Sequence, residues 1–124
     1  MLRGVRGATT VEANTKEEIF EAVLQLLDAL TEANGWQEEE LGAVIFSSTP
    51  EVNAAFPAAA ARRFGWNEVA LFGAQEIEVE DGVPQCIRVL VLWNTDKAMT
   101  ELRHVYLRRA VALRQDRKAE AKEQ

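Results

Sequence analysis

Apolar residues recur at Ile19, Val23, Leu26, Leu27 and Leu30, the spacing of one face of a helix. Thr15-Lys16-Glu17-Glu18 stands at the start of that stripe as a capping box. Its hydroxyl and its carboxylate are each placed to satisfy N–H groups left open at a helix end. Gly35 follows Asn34 and supplies a left-handed stop. The pattern therefore predicts a long helix ending near Asn34. No polar group converges on its apolar side, so its role is to pack over one face of a sheet.

Elsewhere the pattern shortens into strands. Residues 2–11 read as a strand containing Gly4 and Gly7, which weaken it unless another backbone or a ligand must come close. Arg6 has little bulk on either side, which suits either a guanidinium reaching across an open space or a solvated edge arginine. Gln37 to Leu41 read as a short helical turn. Ala43 to Ser48 form a second strand ended by Thr49-Pro50, because proline cannot continue a central strand. Glu51 to Phe56 read as a helical turn or a loop. Pro57 opens a short helix over Ala58 to Phe64, and Gly65 stops it. Arg62 and Arg63 fall on its last turn, where they complement the helix dipole.

Val69 to Val79 and Gln85 to Thr95 read as a hairpin around Glu80-Asp81-Gly82, since Asp-Gly is a strong hairpin signal. Its second arm is apolar from Val89 to Trp93 and belongs in the middle of a sheet. Arg88 interrupts that arm at its start, and a cation entering a buried strand needs an anionic partner. Glu76, across the expected hairpin, is the candidate. Two readings stand at this point: a structural ion pair, or two groups that face a pocket. Asp96 to Leu102 read as a capped turn. The stretch from Arg103 to Arg114 fits either helix or a short final strand. The charged residues 115–124 have no apolar anchor and read as a flexible tail behind a single domain of residues 1–114.

Composition narrows the classes. A chain of 124 residues, 48% hydrophobic and 27% charged, describes one soluble domain. No apolar run approaches the roughly 20 residues that cross a membrane. The start of the chain lacks the apolar core of a secretion signal. Cys86 is the single cysteine, so a reducing cytoplasm is the expected compartment. A net charge of −6 argues against a nucleic-acid binder. Arginine outnumbers lysine, and arginine grips planar carboxylates with two hydrogen bonds.

The chemistry on offer is limited. One histidine and one cysteine do not make an ordinary zinc site. No glycine-rich phosphate loop appears, and Ser47-Ser48 lack an evident base. His104 reads as structural rather than catalytic. What remains is arginines, one or two carboxylates and a tyrosine, a set that binds and orients an anion and stabilises charge developing on an oxygen.

Five blocks then resemble one family in its own order. They are Arg3 to Glu12; Ser48-Thr49-Pro50-Glu51 with Ala55-Phe56-Pro57-Ala58; Gln75-Glu76; Cys86-Ile87-Arg88-Val89; and Arg103-His104-Val105-Tyr106-Leu107. Together they resemble the AroH-type chorismate mutases over nearly the whole chain to Arg114. The resemblance implies an α/β fold, a mixed α+β-like sheet with one long helix, assembled as a homotrimeric pseudo-barrel. Active sites would lie between subunits. The implied activity is an isomerase that converts chorismate to prephenate in phenylalanine and tyrosine biosynthesis. An intramolecular pericyclic step needs no cofactor, metal or nucleophile. A trimeric ligand-binding protein without activity and a RidA-like imine or enamine hydrolase share the architecture. The Arg88 strand and the Arg103-to-Tyr106 block favour the mutase.

Roles follow from the resemblance alone. Arg88 matches the arginine that faces the ether oxygen, and Arg6 one that holds a substrate carboxylate with help from Tyr106. Glu76 matches the carboxylate that accepts the ring hydroxyl and orients arginine. Phe72, Gly73 and Ala74, with Gln75, line the same wall. Phe56 and Ala58 form an apolar lip, and Arg62, Leu113 and Arg114 a rim over which the tail closes. Two positions depart from the family pattern: Ala59 stands where relatives carry a lysine, and Gly73 replaces a larger residue.

Overall fold

The computed structural model describes residues 1–113, so Arg114 and the expected tail lie outside the described residues. Five strands form one mixed sheet: β1 (Leu2–Thr10), β2 (Leu41–Ser48), β3 (Ala70–Gln75), β4 (Cys86–Asn94) and β5 (Val105–Tyr106), in the order β3-β2-β4-β1-β5. β4 runs antiparallel to both β1 and β2, while β3 is parallel to β2 and β5 parallel to β1. Among the described residues, two helices pack with the sheet: α1 (Lys16–Asn34) and α2 (Pro57–Phe64).

Both helices start and stop where their end residues dictate. The Glu18 N–H donates to Thr15 Oγ1 at 3.1 Å, and Gly35 caps α1 at φ 75° by donating to the Thr31 carbonyl. Ile19, Val23, Leu26, Leu27 and Leu30 are fully buried. α2 begins at Pro57 and ends at Gly65, φ 113°. Short 3-10 turns occupy Glu38–Glu40 and Met99–Glu101. The ambiguous C-terminal stretch resolves into β5 followed by a turn at Arg108–Ala110.

The hairpin expected from Asp81-Gly82 does not form. The turn is present, with the Gly82 N–H donating to the Val79 carbonyl at 2.9 Å. The two arms are nevertheless separated by β2, which pairs with β3 on one side and β4 on the other. The chain reaches β3 from β2 through α2, a crossover that makes β2 and β3 parallel neighbours. β4 then finds both of its edges taken, by β2 and β1.

The two faces of the sheet differ. Val5, Val44, Phe46, Val89 and Val91 are buried within the helix-covered core. Gly7 belongs to that face: a Cβ there would lie 2.8 Å from Leu30 Cδ1 and 3.2 Å from Leu26 Cδ1. The intervening residues point to the other face. Cross-strand register lines them up there as Phe72–Ile45–Leu90–Arg6 and, one row on, Ala74–Ser47–Arg88–Ala8–Tyr106. Predicted site residues stand in both rows, Phe72 and Arg6 in the first and Ala74, Arg88 and Tyr106 in the second.

Candidate active site

Arg88 sits on a central strand but on its open face, with 44% of its side chain exposed. The cost of burying a cation that the apolar run of β4 suggested therefore does not arise. Its Nε donates to Glu76 Oε1 at 2.6 Å. The pair inferred from sequence is thus present, although it is built across the end of β2 and not across a hairpin. An ion pair this exposed adds little to stability, so its geometry matters more for what the arginine can face.

Arg6 and Arg88 line one hollow of about 520 Å³ together with Ala8, Ile45, Ser47, Leu90, Tyr106 and Leu113. Four strands, β2, β4, β1 and β5, deliver all of these groups but Leu113 in register. Ala8 is opposite Arg88 on one side and Tyr106 on the other, and Arg6 is opposite Leu90. β5 is held in place by a contact that sequence reading missed. The buried Asn34 side chain at the end of α1 donates to the Arg103 carbonyl at 3.0 Å and accepts from the Arg103 N–H at 3.0 Å. His104 Nδ1 accepts the Arg6 backbone N–H at 2.9 Å, which supports a structural role for this histidine and ties β1 to the segment bearing Tyr106.

A second hollow of about 450 Å³ adjoins the first along Ser47 and is lined by Phe56, Gly73, Ala74 and Gln75 with the Ser48–Pro57 stretch. Glu76 borders a third, formed with the loop up to Gln85 and with Arg88. The remaining expected residues stand apart. Phe72 is exposed on the edge strand β3, Arg62 is exposed on the last turn of α2, and Ala58 packs against the core. Ala59, where the resemblance implies a lysine in relatives, is also half-buried against the core. A Cβ at Gly73 would meet nothing within 4 Å, so the backbone does not require glycine there.

Sequence reading weighed Ser47 only as a nucleophile. The structure gives it another part: its hydroxyl donates to Glu76 Oε1 at 3.0 Å. The signal was the strand period, which places Ser47 on the face opposite the buried Phe46. Cys86, two residues from Arg88, is no nucleophile: burial pushes its thiol up to about 11. Among the described residues, no group of three or more His, Cys, Asp or Glu side chains is arranged to hold a metal.

Two guanidiniums, a phenol and a braced carboxylate stand on the open face of the sheet, groups of the kind that can bind a small anion. The chain belongs to the type I chorismate mutase family, whose model matches residues 2–117. It is 53% identical over 117 residues to chorismate mutase AroH of Thermus thermophilus, covering 94% of this chain and 96% of that one. It is 44% identical over 117 residues to chorismate mutase AroH of Bacillus subtilis, covering 94% and 92%. Among solved structures, the chorismate mutase of Clostridium thermocellum superposes with a TM-score of 0.86 at 43% identity, covering 89% of this chain and 98% of that one. This membership selects the mutase over the RidA-like hydrolase.

Proposed function

We propose that this chain catalyses the rearrangement of chorismate to prephenate, on the route to phenylalanine and tyrosine. The observation that carries the reading is Arg88, tethered through Nε to Glu76 and facing a hollow shared with Arg6 and Tyr106. Chorismate carries two carboxylates and reacts only from a compact diaxial conformer. Arg6 and Tyr106 hold a carboxylate and so restrict the substrate to that conformer, which removes much of the entropic barrier. As the ether C–O bond breaks ahead of C–C formation, negative charge grows on the ether oxygen. Arg88, oriented through its Nε by Glu76, faces that oxygen with its guanidinium, so the cation binds the transition state better than the substrate. Glu76 accepts the ring hydroxyl. The atoms merely redistribute within one molecule, so no nucleophile or proton carrier takes part.

The assembly we infer is a homotrimer with the site completed by an adjacent subunit. Its support is the pattern of exposure: Phe56 is 79% exposed and Phe72 65% exposed. These residues, with Ala58 and Arg62, lie outside the hollow of Arg6 and Arg88 on this chain. They are the lip and rim that a neighbour supplies. A reducing cytoplasm fits the single, unpaired Cys86, and no described helix is long and apolar enough to cross a membrane.

Purified protein without added metal or cofactor should speed the loss of chorismate absorbance. Absence of acceleration at micromolar enzyme would overturn the reading. Arg88→Ala should lower kcat by roughly 10²–10³-fold, the worth of one fixed donor at a developing oxyanion. Because Arg88 lies on the open face, its circular dichroism melting curve should be close to that of the wild type.

A further inference from the structure

We infer that Ser47 is a positioning residue of this site, whose hydroxyl fixes the Glu76 carboxylate and through it the direction of the Arg88 guanidinium; the inference rests on the mutase reading. The last residues of β2 form a bracket around the ion pair. The Ser48 carbonyl accepts the Glu76 N–H at 2.9 Å, holding the backbone of Glu76 one residue past the end of β3. Ser47 Oγ then donates to Glu76 Oε1 at 3.0 Å, holding its side chain. Next along the chain, Thr49 Oγ1 accepts the Cys86 N–H at 3.0 Å and its N–H donates to the Cys86 carbonyl at 3.0 Å, fixing the start of the strand that bears Arg88.

Ser47 is also directly opposite Arg88 in the β2–β4 register, so both side chains rise from one row on the open face. Arg88 Nε and Ser47 Oγ converge on the same oxygen of Glu76. A carboxylate gripped at Oε1 by two donors cannot rotate freely about its last bond. Held at Oε1 in this way, the carboxylate can turn its second oxygen to the substrate hydroxyl. Without Ser47, Arg88 alone restrains the carboxylate, and the pair can swing together away from the hollow. The loss should fall on the step where Arg88 meets developing charge, and so on kcat more than on KM.

The test compares Ser47→Ala, Ser47→Thr, Glu76→Ala and the Ser47→Ala/Glu76→Ala pair in the chorismate assay. Ser47→Ala should reduce kcat about tenfold or more, as expected for one hydrogen bond to a charged group, with KM changed less than about twofold. Ser47→Thr keeps the hydroxyl and suits a strand, so it should restore most of the rate. In the Glu76→Ala background, Ser47→Ala should have little further effect, because its acceptor is already gone. A Ser47→Ala enzyme with wild-type kcat would overturn the inference while leaving the mutase reading intact. So would an effect that threonine does not restore, or one that is fully additive with Glu76→Ala. An inactive wild type would remove both.

Discussion

Glu51 Oε2 accepts two hydrogen bonds, from the Thr49 hydroxyl at 2.8 Å and from the Gln85 backbone N–H. Gln85 holds a left-handed φ of 51° at the entry to β4, a conformation that costs a non-glycine residue about 1–3 kcal/mol. The N–H bond to Glu51 helps to hold it, and lowers the carboxyl pKa below its ordinary value, with the Thr49 hydroxyl adding to the effect. A depressed folded-state pKa stabilises the fold above the unfolded value of about 4.3 and ceases to do so as pH falls through the folded value. Glu51→Gln should therefore be less stable than wild type near neutral pH. The gap should close in acid, read as urea midpoints at several pH values. A gap independent of pH would contradict this account. Glu51 closes one of the family-like blocks, but no local pattern shows its part, because its two donors are brought to it by a turn and by a strand end. Arg6, Glu76, Arg88 and Tyr106, by contrast, were legible as family positions. Their meeting place was not, since it depends on which face of the sheet stays open.

At the scale of elements, α1 lies close to β1 because Gly7 carries no side chain. A Cβ there would lie 2.8 Å from Leu30 Cδ1, 3.1 Å from Val89 Cγ1 and 3.2 Å from Leu26 Cδ1, in a fully packed core. Gly7→Ala should cost about 1–3 kcal/mol by overpacking, measured by denaturant unfolding. It should also weaken activity by moving Arg6 next to it. An alanine variant as stable as wild type would show that Leu26 and Leu30 re-pack freely. The possibility that Gly4 and Gly7 admit a close neighbour was visible in the sequence, but the neighbour was not. The hairpin misreading has a related cause. Asp81-Gly82 does make a turn, but a local turn does not choose a strand's partner. That choice went to β2, from outside the local sequence, because the α2 crossover laid β3 beside it.

At the scale of the whole molecule, the hollow on one chain contains Arg6 and Arg88 together, while Phe56 and Arg62 lie outside it. Under the proposed trimer, mixing inactive Arg6 and Arg88 variants should restore nothing, since each intact site needs both residues from one chain. Mixing Arg88→Ala with an inactive Arg62→Glu variant should recover activity, because an intact arginine from each chain can then meet. Recovery from the first mixture, or none from the second, would redraw the shared site. The sequence by itself determined α1, α2, their caps and the central place of β4. Apolar period, capping residues and proline act over a few positions, and such signals survive without knowledge of the rest of the chain. Only the tertiary structure decided the strand order, the open face and the place of Ser47 beside the Glu76–Arg88 pair. Those depend on contacts between distant residues, 29 positions apart for Ser47 and Glu76 and 98 for Arg6 and His104. No local pattern encodes which of many compatible partners the folded sheet brings together.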